Sequence, residues 1–444
     1  MFKCFLKTFV LAVCFCMLCS FSPKNVCAEV TNEMLLEKIE QMDSRINELE
    51  GRLAVYENKE KGNQTKLSRV EKKIDGLDSK IKEERSSGIA PLVRGVEIGA
   101  SATYVYQFTD KANGDDLSEN SEDVGDASYS VDISLTKEFK NGTAFIATEA
   151  GEGAGVDDEL SIFSTINADA TGGDSNIGIT EAWYEHRFVP LTVTVGKVAA
   201  DVFMDSNEYA NDETTQFLGS EFKHSSTIEF PDNSVGLIIG VSLSDTVTAE
   251  AILIDGNADW EDMFEDTFYG GQFTISPEIA GKAGNYRVFG WGSGRDHTKW
   301  NDSTAVQENS YGFGLSADQE LTDIIGVFAR YAWQNPEVYL NSESYSLEHS
   351  YSFGMQIVGE PWGRDEDVVG IAFGQIFPSD DYKAAGSNLK ADSEGHIEFY
   401  YSYKVNNHLT ISPDVQIVMN PYGSDATNGD DTIVIGGIRG QVDF

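Results

Sequence analysis

The histidines are the first candidates for acid–base chemistry or metal binding in this chain. There are six: His186, His224, His297, His349, His396 and His408. None stands in an H-x-x-x-H spacing or in a recognisable pairing with a serine nucleophile. All five cysteines lie between Cys4 and Cys27, so the rest of the chain can form neither a disulfide nor a thiolate metal site. The sequence therefore predicts no enzyme, no metal site and no cofactor.

Charged side chains remain as groups that could contact a solute. From residue 89 onward there are 17 basic and 59 acidic residues, so each basic residue on a strand is notable. Where strands enclose water, inward arginines and carboxylates exchange hydrogen bonds with a hydrated solute. The candidates are Arg287, Arg330, Lys404, Arg439, Glu398 and Asp414. The alternative is that the cations only neutralise neighbouring carboxylates.

The amino terminus predicts export from the cell's interior. Lys3 and Lys7 precede an apolar run from Phe9 to Phe21, and a small-x-small ending at Ala28 predicts cleavage there. The run is short for a membrane anchor, and bulky residues precede each cysteine, which disfavours a lipoprotein signal. Without residues 1–28 the chain has 29 basic and 73 acidic residues, a net charge of −44. Such a surface repels phosphate, which excludes nucleic-acid binding.

A seven-residue repeat follows from residue 31 to residue 85, a segment without proline. Apolar residues recur in steps of four and three, which predicts a helical coiled coil over residues 29–88. The predicted core positions are Leu35, Ile39, Met42, Ile46, Leu49, Leu53, Leu67, Val70, Ile74, Leu77 and Ile81.

Charges within the repeat predict a parallel homo-oligomer. With Ile39 at position a, the g positions are basic and nearly all e positions are acidic, so Lys38 meets Asp43 and Arg45 meets Glu50 of another copy. An antiparallel pair would place cation against cation. A solvated single helix does not explain this sorting. The core residues are compatible with a dimer and with a trimer.

From Val96 onward, segments of about ten residues alternate in polarity between turns. The clearest are 397–404, 409–419 and 432–444. Connections 378–395 and 420–431 are long, whereas 405–408 is short. A soluble antiparallel sandwich shares the alternation, but the alternating loop lengths favour an outer-membrane β-barrel. No run of about 18 apolar residues follows residue 28, so no membrane-spanning helix is predicted.

The last strand ends on an aromatic residue. Phe444, with Val442 and Ile438 on the same face, predicts the carboxyl-terminal signal that is read during outer-membrane assembly. This strand then descends to the periplasm. With an even number of strands, the coiled coil lies on the same periplasmic side.

Short segments spread over residues 95–444 resemble one known family, in the same order. Residues 211–218, for example, read N-D-E-T-T-Q-F-L, and the chain ends G-I-R-G-Q-V-D-F. The matching segments are 211–218, 257–262, 284–287, 311–314, 328–333, 373–382, 394–398, 411–414 and 437–444. Through these segments the chain resembles the carbohydrate-selective porins known as OprB.

The resemblance implies an all-β transmembrane antiparallel barrel of about sixteen strands, here preceded by the helical coiled coil. It also implies passive, sugar-favouring diffusion across a Gram-negative outer membrane. Porins of this kind are commonly trimers or monomers, and the repeat makes a trimer the expected state. The coiled coil resembles periplasmic stalks that reach toward peptidoglycan. The candidate charged residues become predicted pore-lining residues, and the net charge favours cations or neutral solutes over anions.

The predicted organisation is a signal peptide at 1–28, a periplasmic coiled coil at 29–88 and a barrel domain at 89–444. The expected partners are other copies of the chain, outer-membrane lipid, small sugars and peptidoglycan. An envelope tether or adhesin seated by the barrel is the main alternative, and a siderophore or other solute-specific porin is a further one. About 350 residues is far more than an eight-stranded seat needs, which favours a channel.

Deleting residues 31–85 is expected to weaken the oligomer and to leave the channel conductance intact, because the repeat and the barrel carry separate roles. Analytical ultracentrifugation in detergent and planar-bilayer recording measure the two properties. A truncated barrel that assembles but no longer conducts would contradict this division.

Overall fold

The computed structural model describes residues 95–113, 123–170, 176–261, 264–386, 389–425 and 432–444. The chain divides into two compact units, Met1–Arg94 and Gly95–Phe444, and every described residue belongs to the second. The predicted signal peptide and coiled coil, with core positions 35–81, therefore lie outside the described residues. The barrel domain was expected from residue 89, and its first strand begins at Val96.

The second unit is built from strands that follow one another along the chain. Their bounds are β1 Val96–Asp110, β2 Gly125–Phe139, β3 Gly142–Glu152, β4 Gly178–Arg187, β5 Leu191–Val198, β6 Ser234–Ser244, β7 Val247–Asp255, β8 Thr267–Ile275, β9 Glu278–Ile279, β10 Lys282–Lys299, β11 Glu308–Thr322, β12 Ile325–Gln334, β13 Val338–Leu340, β14 Leu347–Gly359, β15 Arg364–Pro378, β16 Glu394–Asn406, β17 Leu409–Met419 and β18 Thr432–Asp443.

Each long strand pairs antiparallel with its neighbours, and the last strand pairs with the first. In this closing seam Ser101 lies opposite Asp443 and Asp110 lies opposite Val434. The short β9 and β13 only extend hairpins along the edges of β10. The remaining sixteen strands form a closed barrel, which confirms the predicted fold class.

Side chains alternate between the inside and the outside of the barrel. On β1, Thr103, Val105 and Gln107 are buried, whereas Tyr104 and Tyr106 are exposed. The outer face carries many exposed apolar and aromatic side chains along the other strands as well. A continuous apolar exterior is the surface that lipid requires of a membrane barrel.

The connections alternate strictly in length. Seven are short turns: 140–141, 188–190, 245–246, 280–281, 323–324, 360–363 and 407–408. Eight are longer loops: 111–124, 153–177, 199–233, 256–266, 300–307, 335–346, 379–393 and 420–431. Both ends of the barrel segment lie at the short-turn end, because β1 is the first strand and β18 the sixteenth of the closed set.

The last three strands agree with the sequence-based bounds to within about three residues. The turn between β16 and β17 is shorter than expected, because β16 continues to Asn406. On β18, Arg439 and Gln441 are buried toward the inside, whereas Ile438 and Phe444 are exposed. The backbone N–H of Phe444 donates to the carbonyl of Ala100 at 3.0 Å, so the terminal residue still belongs to the seam.

Two of the long loops pack within the barrel against its wall. We call the described residues 153–170 the first inner loop and residues 199–233 the second inner loop. The second contains two short helices, α1 (Ala200–Phe203) and α2 (Ser220–Lys223); a third, α3 (Asp380–Ala385), follows β15. Within the described ranges, no helix is both long enough and apolar enough to cross a membrane.

Two neighbouring positions on β2 test the assignment of inside and outside. Ile133 is 45% exposed on the outer face, and Ser134 lies on the inner face. Ile133→Lys is expected to destabilise the barrel in lipid by roughly 2–4 kcal/mol, because it places a charge among acyl chains. Ser134→Lys is the matched control and should leave stability nearly unchanged. Urea unfolding in liposomes measures both variants; equal losses would refute the assignment.

Candidate solute passage

The second inner loop fixes its own shape through the segment 211–218. Asp212 accepts hydrogen bonds from the backbone N–H of Thr214 at 2.8 Å and from the hydroxyl of Thr215 at 2.6 Å. The side-chain oxygen of Gln216 accepts from the backbone N–H of Asn211 at 2.6 Å. Asx-type bonds of this kind satisfy backbone donors locally and stabilise turns. The N-D-E-T-T-Q-F-L segment therefore forms a compact turn inside the barrel.

Apolar contacts bind this loop to one side of the wall. The buried cluster Ala210, Phe217, Phe222, Phe328, Ala372 and Tyr400 joins the loop to β12, β15 and β16. Phe217 lies 5.0 Å from the ring of Tyr400 and 5.7 Å from that of Phe328, between ring centroids. Burying aromatic rings removes apolar area from water, which stabilises the attachment.

Gly326 in the wall leaves space for the ring of Tyr209 from the same loop. Tyr209 packs so closely over Gly326 that a Cβ at this position would overlap the ring. Any larger residue at position 326 would therefore displace Tyr209 and the loop with it.

Arg330 makes the densest polar contact with the second inner loop. Its guanidinium donates to the carbonyls of Phe222 at 2.7 Å, Ala210 at 2.6 Å and Asp205 at 3.1 Å. It also forms an ion pair with the carboxylate of Asp205 at 3.3 Å, and the two side chains are 1% and 0% exposed. These bonds occupy the donors of the guanidinium. Arg330 therefore holds the loop in place and has no donor left for a solute in this arrangement.

Glu398 binds the same loop from β16, three strands from β12 in the barrel. Its two carboxylate oxygens accept from the backbone N–H groups of Leu218 at 2.6 Å and Gly219 at 2.9 Å. Beside it, Asp414 accepts from the side-chain amide of Gln416 at 3.1 Å. Both carboxylates are buried. Donors reach both oxygens of Glu398, whereas Asp414 Oδ2 has no hydrogen-bond partner among the described protein atoms, so the burial of Asp414 is the more costly of the two.

Arg439 lies next to this pair under the tip of the loop. One Nη donates to the carbonyl of Glu213 at 2.6 Å, and the guanidinium stands 5.8 Å from the ring centroid of Tyr400. Its Nε and other Nη have no partner among the described protein atoms. These two donors and Asp414 Oδ2 are the buried polar atoms of this cluster that have no protein partner among the residues that the structure describes.

The remaining two predicted residues lie toward the short-turn end. Arg287 forms an ion pair with Asp318 at 2.6 Å. Lys404 lies near the end of β16, 3.9 Å from the carboxylate of Asp443. All six predicted residues therefore face inward, and Arg330, Arg439, Glu398 and Asp414 come together around the second inner loop. Their role as pore-lining residues stays a prediction.

The first inner loop packs beside the second. The carbonyl of Leu218 accepts from the N–H of Ala168 at 2.8 Å, and the carbonyl of Thr165 accepts from the N–H of Ser220 at 3.0 Å. Glu394 accepts from the N–H of Phe163 at 3.0 Å. The two loops thus form one layer that covers the inner faces of β16–β18.

Burial raises the pKa of two carboxyl groups in the inner loops. Burial raises the pKa of Glu221 to about 8, although a hydrogen bond from Ser226 opposes the shift. Burial also raises the pKa of Asp169 to about 7, against a hydrogen bond from Ser130. Desolvation penalises the charged form in both cases. At neutral pH Glu221 is therefore mostly protonated.

The wall formed by β2, β3 and β4 is covered only in part. The first inner loop reaches the long-loop end of β2, where Ser130 donates to Asp169 at 3.0 Å and Asn167 donates to the hydroxyl of Ser128 at 2.8 Å. Further along these strands, the inward Asp132, Glu149 and Glu181 are only partly buried, whereas Glu398 on β16 and Arg439 on β18 are at most 3% exposed. The water-accessible passage therefore runs between this wall and the inner loops. It is polar and contains no group of residues suited to hold a metal ion among the described positions.

Sequence reasoning missed Asp205, Glu221 and Tyr209, because the second inner loop has no periodic pattern. A signal did exist elsewhere in the chain. Ile238 and Ile254, together with Phe268, are apolar and face inward on β6–β8, and they are buried by the loop's Met204 and Ile228 among others. Strands with apolar residues on both faces need an apolar cover inside the barrel.

The barrel matches a family model for "Carbohydrate-selective porin, OprB family" over residues 121–444. The chain belongs to this family. A predicted resemblance is thereby confirmed, and the family together with the barrel places the chain in an outer membrane.

Curated relatives of this OprB-family chain are distant. A protein of Aquifex aeolicus (strain VF5) of undescribed function is 25% identical over 226 residues, which are 51% of this chain and 59% of that protein. Porin AaxA of Chlamydia trachomatis serovar D is 21% identical over 240 residues, 52% of this chain and 48% of that porin. The chain thus spans about half to three-fifths of the length of the curated relatives it matches.

Solved structures share the fold of this OprB-family barrel. OprB of Pseudomonas putida superposes with a TM-score of 0.68 at 16% identity, covering 80% of this chain and 96% of that one. The outer membrane channel DcaP of Acinetobacter baumannii gives 0.50 at 13% identity, with 79% and 97% covered. At these identities the likeness concerns the fold alone.

Arg330→Met is expected to release the second inner loop, because Asp205 and three carbonyls lose a buried partner at a cost of about 3–5 kcal/mol. Lys223 is the loop's single trypsin site, so cleavage after Lys223 should accelerate on the order of a hundredfold.

Arg287→Met is the matched control, since it removes another inward arginine that binds the wall residue Asp318 instead of the loop. Cleavage after Lys223 at the wild-type rate in the Arg330 variant would show that this arginine does not fix the loop.

Proposed function

We propose that this chain is an outer-membrane porin that lets small hydrophilic solutes, with carbohydrates among them, diffuse passively through its barrel. One observation carries the proposal: the closed barrel keeps partly water-exposed inward carboxylates along β2–β4, while the inner loops bury the inward charged groups midway along β12 and β16–β18. A channel of this kind needs polar groups that exchange hydrogen bonds with a hydrated solute, and it needs no chemical step.

The inner loops supply the narrowing that a selective porin requires. Arg330 and Glu398 fix the position of the second inner loop, and the passage lies on the loop's other side. We therefore propose that these two residues, with Arg439 and Asp414, set the width of the passage. Arg439 is only 3% exposed and donates to the carbonyl of Glu213, so it acts on the passage through the position of the loop.

The proposed orientation follows from the loop lengths. Long loops face the exterior and short turns face the periplasm in outer-membrane barrels. The segment before β1 is then periplasmic, where the predicted coiled coil would join three barrels and approach peptidoglycan. Support for the trimer comes from the heptad pattern together with the oligomers common among such porins, and support for the peptidoglycan contact comes from the resemblance of the coiled coil to periplasmic stalks.

An envelope tether remains the second candidate, because the heptad repeat also suits a periplasmic stalk. The two functions differ in what they require of the barrel interior. A tether needs only a seat in lipid, whereas a porin needs a continuous water path. The half-exposed wall of β2–β4 favours the porin.

Liposome swelling tests the proposal directly. Vesicles containing the full chain are expected to swell in isosmotic hexose and disaccharide and to resist a large polysaccharide, because the inner loops leave a narrow path. Protein-free vesicles are the control. Vesicles that exclude every neutral sugar, and planar bilayers that show no conductance, would leave the tether as the better assignment.

A further inference from the structure

The inward faces around the barrel differ in their access to water. On β12 and β16–β18 the inner loops cover the wall, so Arg330, Glu398 and Arg439 are at most 3% exposed. On β2 and β3 the inward Asp132 and Glu149 are partly exposed. Midway along these strands, the inward charged groups that a solute can reach therefore lie on the wall of β2–β4.

The exposed wall carries paired like charges. Asp132 on β2 lies directly opposite Glu149 on β3 in the strand register. The neighbours Val131 and Ile133 are exposed on the outer face, so Asp132 points inward. In the described part of the chain no side chain donates a hydrogen bond to either carboxylate. Like charges directly opposite destabilise a sheet, so this pair costs the wall stability.

The second inner loop adds further acidic groups across the passage. Asp212 and Glu213 are electrostatic neighbours of Asp132, and Glu213 is also one of Glu149. Lys223 is the single basic residue of the loop, and Glu213 already pairs with it at 2.8 Å. The passage therefore has an excess of negative charge on both sides.

The inward arginines do not compensate this excess. Arg330 binds Asp205 and loop carbonyls, and Arg287 pairs with Asp318 at 2.6 Å. Arg439 is 3% exposed under the loop. Each of these cations lies on the covered side of the barrel or is already neutralised.

We propose that solutes move along the inner faces of β2, β3 and β4, and that Asp132, Glu149 and Glu181 make this path favour cationic hydrophilic solutes over anionic ones. The inference rests on the proposed porin function. The solute class is a small polyhydroxylated amine, of which a protonated amino sugar is the simplest. Carboxylates concentrate its ammonium group in the passage and accept hydrogen bonds from its hydroxyls.

The test compares two double variants with the same change in net charge. Asp132→Asn with Glu149→Gln neutralises the passage; Asp245→Asn with Glu278→Gln neutralises two exposed residues at the short-turn end. The reversal potential in a KCl gradient gives the permeability ratio of cation to anion for the full chain and each variant. The passage variant should lower this ratio roughly threefold to tenfold, and the control should keep it.

Liposome swelling supplies the solute readout, with glucosamine, glucose and glucuronate as probes. The native chain should admit glucosamine faster than glucuronate, and the passage variant should reduce that difference with little change for glucose. The variant should fold at least as well as the native chain, because it removes a like-charge pair. The heat-modifiable change in electrophoretic mobility, which reports a folded barrel, checks this.

The outcomes distinguish the proposed cation preference from the proposed porin function. Channels that conduct without preferring cations, or a passage variant that keeps the native permeability ratio, would contradict the proposed role of the acidic residues. Either result would leave the proposed porin function unaffected. An equal fall in both double variants would assign selectivity to overall charge and would also contradict the role of these acidic residues. The absence of any conductance or swelling in the native chain would remove the porin function itself.

Discussion

The barrel depends on one constraint: every backbone N–H and C=O within lipid must find a partner in the protein. The pairing of β1 with β18, from Ser101 opposite Asp443 to Asp110 opposite Val434, meets this constraint by leaving no free strand edge. Once the ring is closed, the alternation of side chains follows, because successive residues point to opposite sides of a strand. The outer face is then apolar and the inner face is free to vary.

The inner face varies because two loops cover part of it. Loop backbone inside a barrel has polar groups that lose water, so they require partners from the wall. Arg330 supplies donors to three carbonyls and Glu398 supplies acceptors to two N–H groups. The charges that the wall places under the loops are thus matched to the loop backbone, and the wall left uncovered keeps its charges available to water.

The sequence was most informative where one face meets lipid and the other meets polar groups. The strands 397–404, 409–419 and 432–444 could be placed because their alternation is uninterrupted, and the inward direction of Arg439 and Glu398 followed from it. The second inner loop could not be foreseen, since its contacts join Arg330 to residues more than a hundred positions away. For the same reason, the sequence could not predict that Arg330 is covered and that Asp132 is partly exposed, because burial depends on which wall the loop lies against. The resemblance to the OprB family pointed to residues 211–218 without showing that this segment lies inside the barrel.

The attachment of the second inner loop has an evolutionary consequence. The contacts that bind it to the wall run through side chains such as Arg330, Glu398 and the ring pocket over Gly326, whereas the cylinder is closed by its own backbone. Mutations in the insert or at its contact points can therefore alter what the pore admits without endangering membrane insertion. The interior of the barrel can therefore evolve one loop substitution at a time while the cylinder is kept, which agrees with the 16% identity between this chain and OprB of Pseudomonas putida despite their shared fold.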